Sequence, residues 1–458
     1  MALRNKALPC DDLSSTPTLN AQRKVEEEIL SNYQAFLQQH GSSAEAGSGD
    51  GAPIPAPTFD VSNMKAFLRN SMFRPMSSAF SSLDGSRAWI TFWCTQAGAL
   101  ANITNFDARS IMDFLRLSQH PDGGFGGGPG LLAHLAPTYA AVATLVNLNR
   151  EGVFEDDEPL RLIDRESLYR WLMSLKTPEG SFAVHHDGEC DVRGSYLALS
   201  VAQMTNILTP ELLEGAVDWI AQCQTYEGGL AGRPGLEAHG GYTYCGVAAL
   251  ACVGAIGALD IDALTYWALQ RQMSLEGGFQ GRTNKLVDSC YSFWCGAVLA
   301  LLSGTTRSVM AAETSASLAS HMDPILFDRA SLLDYLFVQC YDASGGGFKD
   351  KPSSRLDAYH TCYSLSGVSV AHSVDDLPSQ SGLERPLAFD PVKVPPFLQH
   401  VTGDGAGTGA TPFKYPVIYR GRSRDLALLS STNAIFNIER NQCRKGLEFF
   451  RSLGNPMM

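Results

Sequence analysis

Two kinds of apolar pattern alternate along this chain. One places apolar residues at helical spacing on a single face: DARSIMDFLRLSQ, DRESLYRWLMSLK, PELLEGAVDWIAQCQ, DALTYWALQRQMS and RASLLDYLFVQC. The other is apolar on nearly every side: TYAAVATLVNL, SYLALSVAQM, TYCGVAALACV, SFWCGAVLALL and TCYSLSGVSV. The first predicts helices with one buried face, the second helices buried all round. A glycine motif separates the members of each pair, at residues 123–125, 180–182, 228–230, 277–279 and 346–348. Glycine supplies the positive φ that a tight reversal between helices requires.

The register is tight. Fourteen residues lead from the apolar member of each motif to an aromatic in the next segment: Phe125 to Tyr139, Phe182 to Tyr196, Leu230 to Tyr244, Phe279 to Phe293. The last copy, Phe348 to Tyr363, needs one residue more. An earlier copy without the glycines is expected around SRAWITFWCTQAGAL, and a closing outer helix at ERNQCRKGLEFFRSL. The unit is outer helix, glycine turn, inner helix, repeated about six times. Strand-like alternation is almost absent, so the expected fold class is all-α. A closed ring of helical hairpins is favoured over an open solenoid, because the inner helices are too apolar to line an exposed concave face.

Residues 1–60 read as an N-terminal helical arm and a flexible linker, GSSAEAGSGDGAPIPAP being its linker-like part. Residues 61–458 form the ring domain. Within it, 305–324 lengthen the fourth connection, and 373–415, rich in Pro, Gly, Ser and Asp, read as a surface insertion. At 458 residues, length alone suggests about three ordinary domains; the repeat accounts for a single large one. A net charge of −12 leaves no basic face for nucleic acid, so an anionic ligand needs a local cluster. Most of the eleven cysteines sit in apolar runs, and MALRNKALPCDD lacks the hydrophobic core of a signal peptide. The expectation is a reducing, cytoplasmic location with buried thiols. Gly240 to Leu259 is long and uncharged enough to pass a crude membrane-span test. Its polar, glycine-rich start favours a helix buried inside a large helical protein, and no membrane span is expected.

The register also gathers chemistry. Eleven places after each motif residue stand Ala136, Arg193, Gly241 and Cys290, and His360 once the extra residue is allowed for. Nine places after stand His134, Asp191, His239 and Asp288. In a ring, equivalent positions at the starts of inner helices converge on one mouth, so Arg193, His239, Asp288, Cys290 and His360 are expected to share a site. Asp, Cys and His are zinc-ligand types, and three protein ligands leave the fourth position open, as catalytic zinc requires. The competing reading makes Asp288 a helix cap, Cys290 a buried small residue and His360 a core histidine. Residues at i and i+2 do not face each other within a helix, but Asp288 and Cys290 can cooperate where the chain is still partly extended at a helix start. Arg282 and Lys285, with Arg193 and His239 across the ring, make a cationic cluster that suits phosphate beside helix N-termini; otherwise they are solvated surface charge. Trp89, Trp93, Tyr196, Tyr242, Tyr291, Trp294 and Tyr359 add an aromatic interior. Together these features suggest an apolar chain carrying a diphosphate.

The stretches DVRGSY (191–196), GLEAHGGYTYCG (235–246), GGFQGRTNKLVDSCYSFW (277–294) and FKDKPSSRLDAYHTCYSLSG (348–367) resemble the β subunits of protein prenyltransferases, those of the farnesyl branch above all. The resemblance covers roughly 75–372, and STNAIFNIER (431–440) shares it. It implies an α/α toroid that pairs with a separate helical α subunit, and one Zn²⁺ per β subunit held by Asp288, Cys290 and His360. It implies that farnesyl diphosphate is bound by His239, Gly240, Gly241 and Tyr242, by Arg282, Thr283, Asn284 and Lys285, and by Tyr291, Ser292, Phe293 and Trp294. Of these, His239, Arg282, Lys285 and Tyr291 would hold the diphosphate, while Arg193, Tyr196, Tyr242, Cys245 and Trp294 line the isoprenoid tunnel. Trp89, Trp93 and Tyr359 would contact a CaaX-terminated protein substrate, and Asp350 would help Mg²⁺ assist diphosphate departure. Trp89 and Tyr363, both bulky here, would select the shorter farnesyl donor. The runner-up within the family is a geranylgeranyltransferase type I β subunit. A terpene cyclase would need an aspartate-rich motif, DDxxD or DxDD, near an inner helix start, and none is present. A non-catalytic helical-repeat scaffold is the remaining rival.

Overall fold

The computed structural model describes residues 15–41, 60–75, 77–150, 152–313, 326–372 and 429–457. Apart from single helical turns and a 3₁₀ helix at Ser78–Ser86, the helices in chain order are α1 (Pro17–Gly41), α2 (Val61–Phe73), α3 (Arg87–Leu100), α4 (Ala108–Ser118), α5 (Leu135–Leu148), α6 (Arg165–Leu175) and α7 (Val192–Met204). They continue with α8 (Ala216–Gln222), α9 (Gly240–Cys252), α10 (Ile261–Leu269), α11 (Tyr291–Glu313), α12 (Arg329–Asp334), α13 (Ala358–His372) and α14 (Arg440–Ser452). A π-helical stretch, Tyr335–Cys340, follows α12 directly.

Helices α3, α5, α7, α9, α11 and α13 each pack against the next, and α13 packs back on α3. The ring is closed, as the apolar pattern of the inner helices requires. Nearly every residue of α5, α7 and α9 is buried. Gly240 to Leu259 is not one long helix: α9 ends at Cys252, and no described helix is long and apolar enough to cross a membrane.

Five outer helices start on an aspartate that accepts N–H groups from its own first turn: Asp60, Asp107, Asp164, Asp260 and Asp328. Such caps satisfy donors that the helix itself leaves orphaned. Four of the repeat glycines then pack on the residue three places after the cap of the next outer helix, while Gly180 meets Gly215 at the start of α8 instead. A Cβ on Gly228 (φ +106°) would lie 2.1 Å from the carbonyl oxygen of Ala263, and one on Gly277 2.4 Å from that of Ser331. Gly346 closes the circle against Asn63 of α2, where a Cβ would come within 2.2 Å of the backbone. The closing outer helix is therefore α2. The segment expected in that role, α14, lies across the far end instead, with Gly446 against Val146 at the end of α5. The sequence around Asp60 carries the aspartate cap but no glycine motif, which hid its membership.

Gly228→Ala is expected to destabilise the protein by about 3 kcal/mol, combining left-handed strain with overpacking. Gly235→Ala, at positive φ but with nothing within 4 Å of a Cβ, should cost only the strain. Urea midpoints of the two variants measure the difference.

The far end of the ring is plugged by Thr432–Asn433 pairing with Ile438–Glu439. The fourteen-residue register explains how. Tyr139, Tyr196 and Tyr244 turn their hydroxyls to the carbonyls of this hairpin: Tyr139 to Phe436, Tyr196 to Ile435 at 2.8 Å, Tyr244 to Ile435 at 2.9 Å. Helix α1 docks outside through buried Val25 and Ile29, and its Asn32 donates to Gln339 in the π-helical stretch at 2.9 Å. The first part of 305–324 continues α11 to Glu313; residues 314–325 and the 373–415 stretch lie outside the described residues.

Candidate active site

All the inner helices that follow a glycine motif begin the same way. The side chain nine places after the motif accepts a backbone N–H just ahead of it. His134 Nδ1 accepts from Ala136 (3.0 Å), Asp191 from Arg193 (2.9 Å), His239 Nδ1 from Gly241 (3.0 Å) and Asp288 from Cys290 (2.9 Å). In the fifth repeat Asp357 accepts from His360 at 2.8 Å, one residue later as the extra residue demands. Asp357 was not singled out from the sequence, although the nine-residue offset from Phe348 marks it.

Asp288 and Cys290 stand at the extended entry to α11, where Val287 still bridges Gln280. There the two side chains reach the same point as His360 from α13. One ligand atom from each of Asp288, Cys290 and His360 lies within 4.8 Å of the others. His360 Nε2 is 3.3 Å from Asp288 Oδ1, while its Nδ1 is 2.6 Å from Asp357 Oδ2. The shorter contact is a strong charge-assisted hydrogen bond. The longer one matches the edge of a tetrahedron, about 3.3 Å for nitrogen and oxygen ligands near 2.05 Å from zinc. Asp357 thus orients the imidazole in the way that outer-shell carboxylates orient metal-binding histidines.

The electrostatics ask for a cation here. Burial would lower the His360 pKa, but the hydrogen bonds to Asp288 and Asp357 outweigh it and push it up to about 9. Burial and the Asp288 carboxylate push the Cys290 thiol up as well. A metal ion must displace these protons, so its apparent affinity should rise with pH through the neutral and mildly alkaline range, by up to about tenfold per pH unit for each proton displaced. Metal titrations at about pH 6.5 and pH 8 check the sign.

The rim beside this trio is built from the 281–285 loop and the start of α9. Gly240 N donates to Gly281 O at 2.7 Å, tying the two together. Gly281 has no side chain because Tyr291 occupies the space, 2.1 Å from where a Cβ would lie. Burial first, and Arg282 second, pull the His239 pKa below its ordinary value. With Nδ1 used by Gly241, the neutral ring carries its hydrogen on Nε2, 3.0 Å from Tyr291 Oη. His239 therefore acts as a neutral donor and not as one of the cations expected of it, and it leaves the Tyr291 O–H free to point outward. Arg282 pairs with Glu237 at 2.5 Å, and Asn284 (φ +59°) turns the loop so that Lys285 is exposed. Thr283 accepts from Arg271 at 3.0 Å.

Next to the trio, which Tyr359 joins to its wall, the ring encloses a cavity of about 410 Å³ that neither the trio nor the 281–285 loop lines, a size suited to a small-molecule ligand. Trp89, Trp93, Arg193, Tyr196, Cys245, Trp294, Tyr359 and Tyr363 line it, all expected from the sequence to serve the site. Trp89 stacks on Trp93 at 5.7 Å, and Trp294 packs on Tyr363 at 4.3 Å. Tyr242 lies under the Arg193 guanidinium at 5.7 Å, and Asp191 holds Arg193 from the other side at 2.5 Å. Ser292 and Phe293 pack behind the wall: Ser292 donates to Ser289 O and meets Gly367, and Phe293 lies against Tyr244. The cavity also gains His134, Glu189 and Asn437, which sequence reasoning did not assign to it. Asp350 sits beside the trio because its carbonyl accepts from Ser289 N (2.7 Å) and Tyr335 Oη (3.0 Å). Although burial works the other way, hydrogen bonds from Lys351 and Ser354 hold its carboxyl below the usual range.

Residues 59–438 match the family description "Prenyltransferase alpha-alpha toroid domain". The protein farnesyltransferase subunit beta of Arabidopsis thaliana is 40% identical over 347 residues, covering 65% of this chain and 70% of that protein. Its counterpart from Pisum sativum is 38% identical over 374 residues, covering 70% and 87%. This chain belongs to the protein prenyltransferase β-subunit family. The solved Candida albicans protein geranylgeranyltransferase-I complexed with GGPP overlays at a TM-score of 0.56 with 17% identity, covering 85% of this chain and 97% of that one. At that identity the overlay speaks for the toroid alone, the fold this prenyltransferase β subunit shares.

Proposed function

We propose that this chain is the catalytic β subunit of a heterodimeric protein farnesyltransferase, which transfers farnesyl from farnesyl diphosphate to the cysteine thiol of a C-terminal CaaX motif. One observation carries the reading: the Asp288, Cys290 and His360 donors meet beside a polar rim and next to Tyr359, which belongs to the wall of an aromatic cavity. The donor types and the 3.3 Å edge between His360 and Asp288 fit zinc. Zinc, when bound, favours the thiolate form of a substrate cysteine brought to its open position. Arg282, Lys285 and the outward O–H of Tyr291, which His239 orients through its Nε2–H, hold the diphosphate and stabilise the charge that develops on its leaving oxygens. Arg193, Tyr196, Tyr242, Cys245 and Trp294 hold the isoprenoid in the tunnel and exclude water from it, while Trp89, Trp93 and Tyr359 present an apolar surface to the peptide. In this reading Asp350 would help to hold a magnesium ion that assists diphosphate departure.

The partners of this reading are a helical α subunit, CaaX-terminated proteins and farnesyl diphosphate. Free thiols throughout the described residues fit a reducing, cytoplasmic setting. The test is co-expression with an α subunit, followed by metal analysis and an assay with fifteen- and twenty-carbon donors. One zinc per heterodimer and preference for the fifteen-carbon donor are expected. A metal-free active enzyme, or preference for the longer donor, overturns the zinc or the farnesyl part respectively.

A further inference from the structure

Behind the loop that carries Arg282 and Lys285 lies a third cation, Arg271, only 6% exposed. It stands two residues beyond the end of α10, and its guanidinium covers the ring of Trp267, four residues back, at 5.1 Å. Its Nε donates to Trp267 O at 3.3 Å, and its Nη1 donates to Thr283 Oγ1, in the loop, at 3.0 Å. Gln280 N donates to Arg271 O at 2.9 Å, so the chain enters the loop tied to the same residue. A guanidinium stays charged and offers five N–H donors, and burying it is costly unless a carboxylate pairs with it. Among the described residues no carboxylate forms a salt bridge with Arg271; Glu237, the acid of this rim, takes Arg282 at 2.5 Å. Glu227 acts on Arg271 only from beyond salt-bridge distance, and its carboxylate accepts from Ala238 N at 3.2 Å. The end of α10 adds no more than the fraction of a charge that a helix C-terminus carries.

We infer that Arg271 is the internal brace and counter-charge of the rim: it holds the 281–285 loop through Thr283, and its own charge is balanced only when an anion sits on that loop. With Thr283 Oγ1 turned back to Arg271, the loop is left to present Arg282 and Lys285 to a ligand. Arg271 touches the loop and not the ligand, so it is a positioning residue. Without an anion, a buried cation behind two others works against the fold. With a diphosphate in front of the loop, the same charge attracts it through protein, where the effective dielectric is low and salt screens little. Packing alone does not call for a guanidinium here, since an apolar side chain of similar length would cover Trp267 without burying a charge.

The inference rests on the proposed diphosphate role of the rim, and the experiment separates the two. The heterodimer is titrated with farnesyl diphosphate, alone and with inorganic diphosphate as competitor. Arg271→Met keeps an apolar stem over Trp267 and removes the charge. Both ligands should bind roughly tenfold more weakly, the scale of one lost interaction with a charged group, and by the same factor, because they share the affected group. The unliganded heterodimer should unfold at the same temperature or higher, since an apolar side chain has replaced a buried unpaired charge. Unchanged affinity overturns the inference. Weakening of farnesyl diphosphate alone, or weaker binding together with a lower unfolding temperature, overturns it too, because either makes Arg271 an ordinary part of the structure. Arg271→Lys keeps the charge without the fork, so an intermediate loss is expected; a loss as large as that of Arg271→Met overturns the counter-charge. If the Arg271→Met heterodimer does not assemble, Thr283→Val decides the matter. It removes only the exposed acceptor in the loop and should weaken both ligands severalfold, unchanged affinity again being the overturning result. Failure of inorganic diphosphate to compete in the unmodified heterodimer would instead sink the diphosphate assignment of the rim itself.

Discussion

Cys290→Ala should reduce farnesyl transfer at least about a thousandfold, or roughly 4 kcal/mol of transition-state stabilisation, while leaving the heterodimer assembled. The side chain is small and 3% exposed, so its removal should cost only about 1 kcal/mol in packing. Its chemical loss is far larger. Two ligands, one a carboxylate, hold zinc poorly where three are needed to leave a single open position. His360 and Asp288, already 3.3 Å apart, would then close into a direct ion pair. Metal analysis and kcat/KM with a CaaX peptide check both halves. Retained zinc with full activity would return Cys290 to the status of a buried small residue.

Trp89→Thr should turn the donor preference from fifteen toward twenty carbons by more than tenfold, the scale that pocket shape alone supplies for apolar groups. Trp89 forms the cavity wall together with Trp93 and touches Phe92 and Tyr139 at 5.8 Å. Removing the indole lengthens the space available to an isoprenoid, and Tyr363, braced by Trp294, defines the other side. A competition assay with both donors reads the change. Since the substitution also removes core contacts worth about 3 kcal/mol, thermal unfolding must show that the variant is folded at assay temperature. No change in preference would move chain-length selection away from Trp89.

Much of this architecture lies in local pattern. The glycine motifs and the periodicity of the segments between them identify inner and outer helices, because each pattern states how many sides of a helix must be covered. The register then carries Asp288, Cys290 and His360 to one mouth without any contact information. What the pattern lacks is the identity of the covering partner. Helix α2 closes the ring, yet its segment is only modestly apolar and its glycine partner, Gly346, lies at the other end of the chain. The hairpin around Asn433 plugs the floor because three tyrosines from different repeats reach its carbonyls, a relation with no local signature. His239 behaves as a neutral donor because burial, which a motif does not report, outweighs its nominal charge.

The closure by α2 has a consequence for how the protein comes into being. Asn63 donates to Ala343 across 280 residues of chain, at 2.9 Å. At ribosomal rates of about 5–20 residues per second, the two halves of that seam are born tens of seconds apart. Through that interval α2 can pack on its neighbour α3, but the flank of α3 that will meet α13 awaits a partner not yet made. The nascent ring is an open crescent with two uncovered apolar ends, and synthesis of the final repeats is what lets those ends cover each other.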